Sequence, residues 1–119
     1  MESLSVTKHK VVLVPFPFDD LSSSKVRPAV CLTHPIGPHR HVILAFVTSH
    51  VAPGPLATDL IIDSSDSDFA ATGLRVSSTL QLHRLMTTTT VLIKRELGQL
   101  SPKMQTEVNN RLRKLFDLI

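Results

Sequence analysis

Apolar and polar positions alternate early in the chain. Between Val11 and Phe18, the side chains of Val12, Val14, Phe16 and Phe18 share one face at period two, as in a half-buried strand. Pro15 and Pro17 fall on the other face. Proline offers no N–H to a ladder, so this strand is expected at a sheet edge, or bulged near its end. Met1 to Lys8 reads as a flexible tail, and Asp19 to Lys25, polar and serine-rich, as an exposed loop.

Further strands are predicted over Pro28 to Thr33, His41 to Ser49 and Asp59 to Asp63. Turn-like segments, H-P-I-G-P-H-R-H and Val51 to Pro55, punctuate them. Ser64 to Gly73 reads as a polar connection able to hold a helical turn. Ser78 to Leu85 and Thr87 to Ile93 then read as two strands, the second rich in β-branched residues. The last segment changes period. Ser101 is a good N-cap and Pro102 suits the first helical position. Met104, Val108, Leu112, Leu115 and Ile119 recur at spacings of four and three, which gives one apolar stripe. The pattern therefore predicts a mainly β fold with some α: five to seven short strands in a small curled barrel, with a C-terminal amphipathic helix packed on it.

Composition changes this picture little. A chain of 119 residues fits one domain, residues 1–119, and 42% hydrophobic with 19% charged residues is ordinary for a soluble protein. The net charge of +3 favours a polyanion without demanding one. Basic residues collect late (Arg84, Lys94, Arg95, Lys103, Arg111, Arg113, Lys114), while Asp59 to Asp68 is acidic. The lone Cys31 excludes an internal disulfide and suits a reducing cytosol. Met1 to Lys10 is polar and no apolar run reaches membrane-spanning length, so a cytoplasmic protein is expected.

Candidate chemistry centres on Arg27. It precedes Pro28, which biases it towards an extended backbone at the start of a strand. A guanidinium so held is a fixed, permanently charged fork suited to phosphate; the competing reading is a surface ion pair with Asp19 or Asp20. Thr48, Ser49 and His50 end the third strand. The threonine can be there for strand propensity alone, but two hydroxyls and an imidazole can also line a ligand pocket. His39 and His41 lack a third ligand at a metal-site spacing, so loop histidines are the better reading. His83 reads as partly buried and structural, or lining a cleft. Asp63, Asp66 and Asp68 lack the pattern of a calcium loop and read as an acidic loop in which Asp66 or Asp68 caps a turn.

Three stretches carry a resemblance. They are V-V-L-V-P-F-P-F-D-D-L-S-S-S-K-V-R-P-A-V, the strand ending F-V-T-S, and L-G-Q-L-S-P-K-M leading into the helix. T-G-L and S-S-T-L-Q-L-H-R-L fall where comparable segments are found. Over His9 to Ile119 the chain resembles the MazF/PemK family of toxin endoribonucleases. The resemblance implies an SH3-like barrel with a C-terminal helix, a homodimer, and cleavage of single-stranded RNA with no metal and no cofactor. It also implies an antitoxin protein partner that blocks the RNA groove. Arg27 and Thr48 match the catalytic motif positions. His50, Ser49 and His83 are candidates for proton transfer or substrate contact, and Lys25, Ser24 and Arg84 for RNA binding. Some familiar features are absent: His9 and Lys10 stand where Gly-Asp is common, Ser22 to Ser24 where a glutamate occurs, and His83 where an aspartate is common. Two alternatives remain, a non-catalytic RNA- or protein-binding barrel and a gyrase poison on the related CcdB-like fold. The second is disfavoured because the chain has no Trp and carries the R-P pair.

Overall fold

The computed structural model describes residues 7–15 and 25–119. Six strands form one antiparallel sheet: β1 Lys10–Pro15, β2 Val26–Cys31, β3 His41–Thr48, β4 Asp59–Ile62, β5 Ser78–Thr89 and β6 Arg95–Gln99. One helix, α1 Pro102–Leu115, follows. The sheet order is β4-β5-β3-β2-β1-β6, so the first and last strands are neighbours. This is the curled sheet with a C-terminal helix that the sequence pattern predicts.

Alternation buries both faces. Val11, Val30, Ala45, Val47, Leu80 and Leu82 belong to a first core, which α1 closes with Met104 and Val108. Burying each of those two helix side chains is worth roughly 1.5–3 kcal/mol. Val12, Val14, Ala29, Cys31, Leu44 and Phe46 face the other way into a second core, closed by Ile93 and Met86. The helix begins as expected: the Ser101 Oγ accepts from the Met104 N–H at 3.2 Å. Lys103 Nζ lies 2.9 Å from Asp66 Oδ2 and ties the first turn to the acidic connection. Asp66 also caps a turn there, accepting from the Asp68 N–H at 2.9 Å.

Four expectations need correction. β1 is an interior strand. Its prolyl position is harmless because pairing with β6 stops at Leu13↔Arg95, before Pro15, which faces only Val26 of β2. The irregularity in β1 lies near its start, between Val11 and Val12 on the β6 side. The two late strands are one strand, β5. Its register against β3 jumps from Ala45↔Leu85 to Phe46↔Gln81, so Leu82, His83 and Arg84 bulge out without β3 partners. After Thr89 the chain makes a 3-10 turn, Thr90–Leu92, and Ile93 enters the second core outside any strand. Finally, the helical stripe ends early: Leu115 is half-buried and Ile119 fully exposed. Phe16, Pro17, Phe18 and the loop from Asp19 to Ser24 lie outside the described residues, as does most of the N-terminal tail.

The outer edge of β6 is covered by a 3-10 turn, Ala70–Thr72, that ends at Gly73 with φ of 74°. The backbones meet so closely that a Cβ on Gly73 would lie 2.2 Å from the Leu97 carbonyl oxygen. A Cβ on Gly98 would lie 2.2 Å from that of Ala71. Only glycine allows both approaches.

Candidate functional site

At the end of the sheet where β1 stops and β2 begins lies a cavity of about 720 Å³. Register explains which side chains reach it. Val12, Ala29, Phe46 and Gln81 form one row across β1, β2, β3 and β5. Two residues further along each strand stand Val14, Arg27, Thr48 and Thr79. Opposed residues in an antiparallel sheet share a face, and so do residues two apart. Arg27 and Thr48 therefore share the face that Phe46 and Gln81 also occupy, and all four line the cavity.

Thr48 is held by its own turn. Its Oγ1 accepts from the His50 N–H at 3.2 Å, which leaves the hydroxyl proton to donate elsewhere. The Thr79 hydroxyl donates to the His50 carbonyl at 3.0 Å and pins the same turn. Arg84 enters from the β5 bulge, its Nη1 3.5 Å from Gln81 Oε1, which is long for a hydrogen bond. Arg75 follows Gly73 and Leu74, and Arg95 stands opposite Leu13 on β6. Four guanidinium groups thus line one cavity. Among its described lining residues there is no carboxylate. The nearest acidic residue in sequence, Glu96, is paired to Lys10 at 2.9 Å. A cleft lined by one sign of charge focuses potential on an anionic ligand.

The structure brings together Arg27, Thr48, Ser49 and Arg84. Lys25 is exposed just before β2 and is not part of the lining; Ser24 lies outside the described residues. His50 is exposed beside the cavity, and its backbone N–H and carbonyl hold the turn that carries Thr48. His83 sits in the bulge, with Nδ1 3.9 Å from Asp59 Oδ1. That oxygen is buried without a hydrogen-bond partner, while Asp59 Oδ2 accepts from the Leu56 N–H at 2.9 Å. The His39 and His41 rings lie 5.9 Å apart, and no group of three His, Cys, Asp or Glu residues among those described converges as a metal site would require. Cys31 belongs to the second core; burial, with Glu96 nearby, pushes its thiol up to about 11.

Sequence reasoning missed Arg75 and Gln81, and counted Arg95 only as part of a basic segment. Arg75 did carry a signal, since it directly follows the T-G-L stretch. Arg95 carried none: it reaches the cavity only because β6 pairs with β1, more than eighty residues earlier in the chain.

Comparison with known proteins places these features in context. A family model described as PemK-like, MazF-like toxin of type II toxin-antitoxin system matches residues 7–116. No match was found among curated protein sequences. Among solved structures, the Mycobacterium tuberculosis toxin MazF-mt6 superposes with a TM-score of 0.70 at 23% identity, covering 92% of this chain and 98% of that one. An endoribonuclease in complex with its cognate antitoxin, from a mycobacterial species, gives 0.70 at 13% identity, over 97% and 98%. A MazE–MazF structure from Deinococcus radiodurans gives 0.67 at 13%, over 98% and 100%. At these identities the superpositions show a shared fold.

Proposed function

The chain belongs to the PemK-like, MazF-like family of type II toxin-antitoxin toxins, and from that premise we propose that it is a metal-independent endoribonuclease cutting single-stranded RNA at the Arg27–Thr48 end of the cavity. The observation that carries this reading is that Arg27 and Thr48 both line, from one face of the sheet, a cavity lined by four arginines and, among its described residues, no carboxylate.

The reaction follows from what such a site can do. A ribose 2′-oxygen attacks the adjacent phosphorus as the bond from phosphorus to the 5′-oxygen breaks. The products are a 2′,3′-cyclic phosphate and a 5′-hydroxyl end. Negative charge grows on the non-bridging phosphoryl oxygens, where Arg27 supplies a charged fork and the Thr48 hydroxyl a further donor. The 2′-hydroxyl must lose a proton and the leaving oxygen must gain one. A guanidinium keeps its proton and cannot act as the base. His50, next to Thr48 on the exposed turn, is the proton carrier in this scheme. His50→Gln should then lower the rate and remove one limb of its pH profile; an unchanged profile would exclude it.

An antitoxin partner is part of the proposal. Two of the similar structures are complexes of that kind, and a four-arginine cavity is an apt target for an acidic segment. We also take the working form to be a cytoplasmic homodimer, which light scattering of the purified protein would test.

The deciding experiment incubates the purified chain with mixed-sequence single-stranded RNA in EDTA, alongside Arg27→Ala. Discrete cuts with 5′-hydroxyl ends are expected, and the variant should be slower by roughly 100-fold or more, the loss typical of removing one charge-stabilising donor. A folded wild-type protein that cuts no RNA would instead identify a non-catalytic binding module.

A further inference from the structure

The cavity does not lie on one face of the sheet. Arg27, Thr48, Phe46 and Gln81 belong to the face of the second core. Leu13, Pro28 and Val47 alternate with them and belong to the opposite face, and Arg95 is the cross-strand partner of Leu13. Yet all of these residues line the same cavity. The cavity therefore wraps over the end of the sheet and has two halves.

The halves differ in chemistry. The first offers Thr48, Ser49 and Gln81 beside Arg27 and Arg84. The second has an apolar floor of Leu13, Leu74 and Leu97, each half-buried, flanked by Arg75 and Arg95. Among the described residues, no salt bridge engages either of these two arginines. Their relative placement is fixed. Arg75 follows the Gly73 turn and Arg95 begins β6, and these two segments are locked by the close approaches at Gly73 and Gly98. A volume of about 720 Å³ far exceeds what one phosphodiester fills.

We propose that the second half is a nucleotide subsite: the floor of Leu13, Leu74 and Leu97 takes the base of a nucleotide neighbouring the scissile position, and Arg75 and Arg95 hold its phosphate. The assignment rests on the reading of the cavity as a single-stranded RNA site. β6 lies two strands from β2, about 10 Å. A strand that rises about 3.4 Å per nucleotide when stacked, and more when extended, covers that span in roughly one to three nucleotides. With no Tyr or Trp in the chain, the base contact in this half is with aliphatic surface. Such a contact tolerates any base face, so this half adds affinity and register and leaves base reading to Gln81 and its neighbours.

The test uses a fluorescein-labelled ten-nucleotide 2′-O-methyl RNA of mixed sequence, which cannot undergo 2′-hydroxyl attack. Its affinity for the full-length protein is measured by anisotropy across a salt series. Wild type, Arg27→Ala and Arg75→Ala/Arg95→Ala are compared after thermal melting confirms folding. The double variant should bind at least about tenfold more weakly, and its log–log salt slope should be shallower by about 0.7, because it neutralises one phosphate fewer. A single methylphosphonate, scanned along the strand, should weaken wild-type binding at the phosphate held by Arg75 and Arg95 and leave the double variant unchanged there, while the position held by Arg27 responds in both. Should the double variant fail to fold, Arg75→Gln and Arg95→Gln are read singly, and each should weaken binding at the same methylphosphonate position by less than the double change. Unchanged affinity and slope in the arginine variants would overturn the subsite, even if Arg27→Ala abolished RNA cleavage. Arginine-dependent binding without any cleavage of ordinary RNA would uphold the subsite and overturn the nuclease reading. Failure of the wild type to bind would overturn both.

Discussion

Gly98→Ala should destabilise the protein far more than the addition of one methyl group suggests. A Cβ at this position would sit 2.2 Å from the Ala71 oxygen, 2.7 Å from the Thr72 carbonyl carbon and 2.8 Å from the Thr72 oxygen. All three are backbone atoms, so no side chain can swing aside. The 70–73 turn and β6 would have to separate by about 0.8 Å or more to bring the shortest contact out to 3.0 Å. Overpacking of this kind costs about 1–3 kcal/mol, and a backbone clash belongs near the top of that range. Alanine returns about 0.4–1 kcal/mol by restricting the unfolded chain, leaving a net loss of about 2 kcal/mol. For 119 residues the unfolding entropy is about 0.25 kcal/mol/K, so the melting temperature should fall by about 8 °C. Gly54→Ala is the control, because nothing lies within 4 Å of its added Cβ; it should shift melting by no more than about 2 °C. Circular dichroism melts of the three proteins make the comparison. Gly98→Ala melting within about 2 °C of wild type would refute the packing account. It would also remove the reason for treating Arg75 and Arg95 as rigidly spaced.

Ser101→Ala removes the hydroxyl that accepts from Met104 and should cost about 1 kcal/mol, or about 4 °C in melting temperature, with Ser101→Asp restoring most of it. Burial, with Glu96 nearby, pushes the Cys31 thiol up to about 11. A disulfide reagent at pH 8 should therefore label the native protein far more slowly than the urea-unfolded chain, and fast stoichiometric labelling of native protein would contradict the core placement. Because the folded thiol's pKa lies above its ordinary value of 9.0, its share of stability is present below about pH 9 and lost as pH rises towards 11. His9 is the opposite case: burial, then the charges of Lys8 and His34, hold its imidazole below the usual value. Its contribution is present above about pH 6.5 and is lost as pH falls. Urea unfolding should show less stability at pH 5 than at pH 7, and His9→Asn, which tolerates the local φ of 76°, should flatten that dependence.

Local signals read correctly where the physics is local. The N-cap at Ser101, the stripe through Met104 and Val108 and the period-two pattern at Val12 and Val14 depend on residues a few positions apart. Arg27 and Thr48 were singled out chiefly by the family resemblance, since an X-Pro step and a strand-end threonine are common, and both line the cavity. What failed depends on distant partners. The segment R-E-L-G-Q has no alternation and contains glycine, so β6 shows no strand signal of its own; β1 on one side and the 70–73 turn on the other hold it extended. Pro15 suggested an edge because the stopping point of the β6 ladder cannot be read from β1. The β5 bulge is equally silent, since only the register against β3 shows that Leu82 to Arg84 are extra. Arg75 and Arg95 were hidden for the same reason: each looks like an ordinary surface charge until the sheet closes.

The neighbouring of β1 and β6 also has a bearing on how the protein is made. A ribosome releases the chain from its N-terminus, and long-range strand pairing must wait for the later partner. β1 can find β2 early, but Arg95 and the strand that carries it emerge only after most of the chain has been synthesised. Until then the wall made by Arg95 and Leu97 is missing, and the cavity lacks one of its four arginines. On the proposed function, the site would be completed only when β6 has been released and has paired with β1. On the same reading, a chain that ends before Arg95 should lose the RNA cutting expected of the full-length protein.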